Sequence, residues 1–108
     1  ERRISMKIGV TYETSASKLR NIPEIIKNVI SAVEGVRFGR AFFNTFGDFA
    51  LIYEVVYFVE NSDYLTYLKA NQEILLRLKE KFEEEKIEIA YPTQKIYLEQ
   101  AEVKWASL

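Results

Sequence analysis

The chain has 108 residues, 48% of them hydrophobic and 29% charged, with 15 basic against 16 acidic side chains and a formal net charge of −1. That length suits one domain with a core of its own, the composition excludes a disordered chain, and the charge balance leaves no electrostatic footprint for nucleic acid or anionic lipid. The absence of cysteine rules out a disulfide framework, and the absence of histidine rules out any triad built on Ser-His or Cys-His and the commonest metal ligand, so only carboxylates, lysines and tyrosines remain as candidate catalysts.

The first segment, "RRISMKIGVTYET", alternates: Ile4, Met6, Ile8, Val10 and Tyr12 share one side, and Arg3, Ser5, Lys7 and Thr11 the other. This is the period-2 pattern of a strand with one buried face. In "SASKLRNIPEIIKNVISAVEG", Leu19, Ile22, Ile26, Val29 and Val33 recur at helical spacing. Ser15 or Ser17 suits the cap, but Pro23 lacks an amide proton and crowds the preceding turn, so regular helix is expected only from about Ile22. Gly35 is a left-handed stop.

Two β-rich runs, "VRFGRAFFNTF" and "FALIYEVVYFV", flank Gly47-Asp48. A two-residue loop there sets Phe42 opposite Tyr53, Phe38 opposite Tyr57, Phe43 opposite Ile52 and Arg37 opposite Phe58, with apolar side chains on both faces. The clearest helix is "NSDYLTYLKANQEILLRLKEKFEEEK", capped by Asp63 or Ser62. Leu68, Asn71, Leu75, Leu78 and Phe82 form its expected core stripe, broadened by Leu65 and Ile74. Glu73 precedes Arg77 in the favourable ion-pair order. "KIEIAY" closes the series as a short strand presenting Ile87, Ile89 and Tyr91.

The order strand, helix, strand, strand, helix, strand predicts an α+β fold: a ferredoxin-like βαββαβ sandwich, an antiparallel sheet with two helices on one face, the first and third strands central. The domain is expected over residues 1–92, with a C-terminal extension strand and tail over 93–108. The longest apolar stretch, 49–59, is interrupted by Glu54 and falls well short of the roughly 20 residues of a bilayer-spanning helix. No signal peptide is visible, and because residue 1 is Glu the chain is expected to be a piece of something longer or a processed product.

No side-chain constellation rises to an enzyme site, and neither a catalytic, a cofactor-binding nor a metal-binding residue is assigned. Glu83, Glu84 and Glu85 point about 100° apart on a helix and read as a solvated face. "RFGRAFF" has the glycine-aromatic flavour of an RNA-binding strand but falls on the second strand, beside Glu54, in a chain without basic excess. Gly9 and Gly39 belong to no phosphate loop and mark a bulge or a close contact. Asn71 is expected at a solvated rim. The seven tyrosines read as strand residues with a buried ring and a wet hydroxyl.

Three stretches carry a resemblance. "KIGVTYETSASKLRNIPEIIKNVI" resembles the opening of the carboxy-terminal cytosolic domain of the small-conductance mechanosensitive channel (MscS) family, "FGDFALIYEVVYFV" fits that family's central hairpin, and "FEEEKIEIAYPTQKIYL" is similar to its strand, proline-aromatic turn and following strand. Together they cover residues 4–98. The sequence departs where the family often has a proline before the aromatic: here Ala90 precedes Tyr91-Pro92.

The resemblance implies a ferredoxin-like fold and a non-catalytic role. It implies a cage domain below a tension-gated pore, assembling with identical subunits, usually as a homoheptamer, and filtering solutes through side portals on the cytoplasmic face of the cell membrane. The lipid bilayer would be met only through segments ahead of Glu1. Pro92 would end the domain's own ladder, and Tyr91, Pro92, Gln94, Ile96 and Tyr97 would face sister subunits. The alternative is a small-molecule-sensing regulatory domain of the same fold class; no cofactor and no nucleic acid partner is expected under either.

Overall fold

The structure, a computed structural model, describes residues 1–90. Five elements follow one another: β1 (Arg2–Val10), α1 (Ala16–Ser31), β2 (Val36–Phe46), β3 (Leu51–Val59) and α2 (Tyr64–Glu84). The strands form an antiparallel sheet in the order β1-β3-β2. The last expected strand is reduced, within the described residues, to the antiparallel bridge Val10↔Ile89, fastened by Thr11 N–H to the Glu88 carbonyl and Ala90 N–H to the Gly9 carbonyl. It lies beside β1, so the ferredoxin-like order places β1 and β3 inside, as the right-handed crossover rule requires.

Alternation decides which face the helices cover. Ile8 and Val10 of β1 and Leu51, Tyr53, Val55, Tyr57 and Val59 of β3 enter one core with Ile22, Ile26 and Ile30 of α1 and Ile74, Leu78 and Phe82 of α2. No buried residue of this core is charged or polar by type. Ile4 and Met6 pack at its margin, as the alternation demands. Tyr12 does not belong to it: β1 ends at Val10, and Tyr12 lies exposed in the following turn, its hydroxyl donating to the Gly47 carbonyl.

α1 begins earlier than expected. Ser15 caps it, accepting from Lys18 N–H at 3.3 Å, and the helix runs through Pro23 without a break. Proline there leaves the Leu19 carbonyl without its i+4 donor. The Tyr53 hydroxyl takes that place, donating to the Leu19 oxygen at 2.8 Å. α1 ends at Ser31, and Gly35 adopts φ +81° in the turn before β2.

The hairpin departs from a two-residue loop. Residues 47–50 separate the strands, and two register shifts fall at Gly39 and Asn44. Arg37 still opposes Phe58 and Phe38 opposes Tyr57, but beyond the first bulge Phe42 opposes Glu54 and Phe43 opposes Tyr53. Each bulge inserts one unpaired residue and flips the alternation. Gly39 is required at the first: a Cβ there would stand 2.6 Å from the Val56 carbonyl oxygen.

α2 closes on a Schellman turn. Ile87 N–H donates to the Phe82 carbonyl at 2.8 Å and Lys86 N–H to the Glu83 carbonyl at 3.1 Å, with Lys86 left-handed at φ 59°. The buried pair Phe82 and Ile87 supplies the hydrophobic contact of that motif.

Candidate functional site

The polar groups inside the fold are occupied by structural tasks. Tyr53 and Tyr57 have fully buried side chains, and their hydroxyls need acceptors. Tyr53 finds the Leu19 carbonyl; Tyr57 finds the Asn71 carboxamide oxygen at 2.7 Å. Asn71 therefore bonds across the helix–sheet interface instead of standing at a wet rim. Burial pushes the Tyr53 phenol up to about 12, and burial followed by the neighbouring Tyr67 does the same for Tyr57. Both remain neutral donors near pH 7. Among the described residues, no group of three or more Asp or Glu could hold a metal ion. Glu83, Glu84 and Glu85 are exposed at the end of α2, where Lys79 and Lys81 pair with them.

Charge also fastens the entry to the domain. The Arg2 guanidinium lies 5.6 Å from the rings of both Tyr64 and Tyr67 and donates to the Ser62 carbonyl, tying the start of β1 to the start of α2. Glu1 and Arg37 form a two-bond pair that holds the Glu1 carboxyl below its ordinary range through the hydrogen bond from Arg37. Arg37 also roofs Phe58 at 4.1 Å. The uncovered sheet face is thus less bare than its sequence implies: Val56 is buried, and Ile52 and Phe58 are half-buried.

The exposed apolar surface lies elsewhere, in two places. One is the end of the hairpin. Phe42, Phe43, Phe46 and Phe49 are all exposed there. The bulge at Asn44 puts Phe43 and Phe46 on one face, three positions apart, where their rings meet edge to face at 5.2 Å; Phe43 also packs on Tyr53 at 5.4 Å.

The other place is α2. Leu65, Leu68, Leu75 and Leu76 are exposed, whereas Ile74, Leu78 and Phe82 are buried. Leu65, Leu68 and Leu75 are therefore not core residues, contrary to the expected stripe. At about 100° per residue the buried face centres on Ile74 and Leu78, and the outer leucines lie about 80° to 180° round the helix from it. Leu68, Leu75 and Leu76, with Asn71, Gln72 and Lys79, line a shallow apolar depression. The sequence carried a signal for it, since α2 has more leucines than one buried face accommodates. The residues expected at an oligomer interface, Tyr91, Pro92, Gln94, Ile96 and Tyr97, lie outside the described residues, as does the 92/93 domain boundary.

These features define an α+β domain of ferredoxin-like architecture whose unspent chemistry is apolar surface. The family described as "Mechanosensitive ion channel MscS, C-terminal" matches residues 4–89. Among curated proteins the chain is 42% identical over 99 residues to the small-conductance mechanosensitive channel MscMJ of Methanocaldococcus jannaschii, covering 91% of this chain and 28% of that protein. It is 39% identical over 101 residues to the large-conductance channel MscMJLR of the same organism, covering 89% of this chain and 28% of that protein. A third relative, an uncharacterized MscS family protein of Aquifex aeolicus, is 31% identical over 102 residues, covering 92% and 28%. The chain belongs to the MscS family of mechanosensitive ion channels, as its C-terminal domain. It spans little more than a quarter of the length of the relatives it matches. No described helix is long and apolar enough to cross a membrane.

Proposed function

We infer that this domain is a cage module below the pore of a tension-gated channel, working in assembly and solute filtering and not in catalysis. Identical copies ring the pore axis, as a homoheptamer, on the cytoplasmic face of the membrane. The bilayer is reached through segments ahead of Glu1. The observation that carries the reading is the pair of exposed apolar surfaces, hairpin end and α2 stripe, on a chain matched to the family over residues 4–89.

The sheet register supports a role for the stretch after Ala90 as well. Ala90 N–H donates to the Gly9 carbonyl beside the bridge Val10↔Ile89. Antiparallel continuation requires the amide two residues on, at position 92, to donate to the Lys7 carbonyl. Position 92 is proline and has no such donor. The domain's own ladder ends there, and Tyr91, Pro92, Gln94, Ile96 and Tyr97 become available to sister subunits, with 93–108 as an extension beyond the domain.

Osmotic downshock of a channel-deficient host carrying the complete gene tests the reading. Rescue of survival, with a tension-activated current in excised patches, is the expected result. Well-expressed, membrane-inserted protein that gives neither would sink it.

A further inference from the structure

We propose that the cleft between α1 and the hairpin end binds a small aromatic monocarboxylate, with Arg20 as the group that takes the carboxylate. The inference goes beyond the channel reading and does not depend on it.

Two elements build the cleft. Ala16, Leu19, Arg20 and Pro23 of α1 form one wall and Phe43 of β2 the other, around about 480 Å³. Small-ligand sites span ~300–1,000 Å³ and are mostly apolar, with a few polar groups that orient the ligand. The bulge at Gly39 creates the second wall. Without it Phe43 would oppose Ile52 on the open face of the sheet; with it Phe43 opposes Tyr53 on the face that α1 covers.

Both walls are tied to one buried side chain. The Phe43 ring packs 5.4 Å from the Tyr53 ring, and the Tyr53 hydroxyl donates to the Leu19 carbonyl at 2.8 Å. A site whose walls are already held loses little freedom when it is filled. Phe43, 37% exposed, and the half-buried Pro23 present faces on which a ligand ring can lie. The exposed parts of these few side chains fall far below the ~1,000 Å² of a protein interface, so the occupant is of ligand size.

Charge narrows the class further. Among the described residues Arg20 is the one charged side chain in the lining. It is exposed and makes no hydrogen bond or ion pair with a described residue, although Glu24 follows one turn on. Its planar fork of donors fits a carboxylate with two parallel hydrogen bonds. A single cation neutralises a monoanion and leaves a phosphate dianion half compensated. No acidic side chain lines the cleft among the described residues, so the ammonium group of an α-amino acid finds no partner there.

Amide chemical-shift titration of the 108-residue chain with 3-phenylpropionate tests the proposal. The cleft is open on one side, so a Kd of about 1 mM is expected. Saturable shifts should centre on Leu19, Arg20 and Phe43. Arg20→Gln lies at an exposed position and leaves the core untouched; it should weaken binding at least ~10-fold, as should replacing the ligand by uncharged 3-phenylpropionamide. Phenylalanine, acetate and inorganic phosphate should each bind less tightly than 3-phenylpropionate. Acetate or phosphate binding as tightly would overturn the proposal, because charge alone would then suffice. Unchanged affinity in R20Q would overturn it as well, as would shifts that never saturate or that fall on the outer leucines of α2.

Discussion

Pro23 and Tyr53 illustrate how one residue's deficit is met by another far away in sequence. Proline in α1 withholds a hydrogen bond from the Leu19 carbonyl, and a buried tyrosine needs an acceptor; the fold joins the two at 2.8 Å. Tyr53→Phe leaves a partly buried carbonyl unsatisfied and is expected to cost about 1–2 kcal/mol. Pro23→Ala restores the helical donor, so Y53F/P23A should lose less than Y53F does in the P23 background. Denaturant melts of the four proteins check this, and strict additivity would contradict it. Lys86 is a second such residue. It holds φ 59° at the end of α2, a conformation glycine adopts freely, and Lys86→Gly is expected to raise stability by up to ~1 kcal/mol in the same assay. The gain is reduced if the Lys86 carbonyl shifts away from the Lys18 ammonium, which now donates to it at 2.8 Å.

At the scale of elements, α2 carries two apolar faces and the sheet selects one. Leu78 is 3% exposed and Leu76 52%. Leu78→Ala should therefore cost about 2–5 kcal/mol, while Leu76→Ala stays within ~0.5 kcal/mol in the isolated chain. Equal losses would mean that the outer leucines are covered within a single copy. The existence of both helices, a pair of cap candidates for each that includes the actual Ser15 and Asp63, and the alternation of β1 were legible because each depends on residues a turn or a step apart; the early start of α1 was not, because the Tyr53 hydroxyl that offsets Pro23 is distant in sequence. The hairpin register was not. Gly39 and Asn44 each add a residue to β2, and nothing local distinguishes a bulge from a paired position until β3 lies alongside. For the same reason the bare sheet face was overestimated: Arg37 covers Phe58 only once β2 and β3 are paired.

For the molecule as a whole, the buried tyrosines set an alkaline limit. Their folded-state phenols ionise near 12, above the ordinary value of 10.0. Between those values the folded state holds protons that the unfolded state has released, so stability falls as pH rises. Their contribution is complete below pH 10 and is lost through pH 12. Thermal melts from pH 8 to 12 should show this decline, and the double variant Y53F/Y57F should show a shallower one. A pH-independent melting temperature across that window would contradict the assignment. Association is the other whole-molecule property. The exposed apolar side chains at the hairpin end and on α2 form two small separate patches, short of the roughly 1,000 Å² that a stable interface needs, so the isolated chain should sediment as a monomer at micromolar concentration.

The sequence alone determined the strand and helix order, the core face of β1 and α1, the family, and the absence of any imidazole or thiol chemistry, since these follow from periodicity, composition and the quoted stretches. The choice between the two faces of α2, the acceptor of each buried hydroxyl, and the pair of apolar surfaces left over required the packed chain. Each of those depends on which distant residues become neighbours, and a free-energy balance among competing neighbours is struck only when the layers close together.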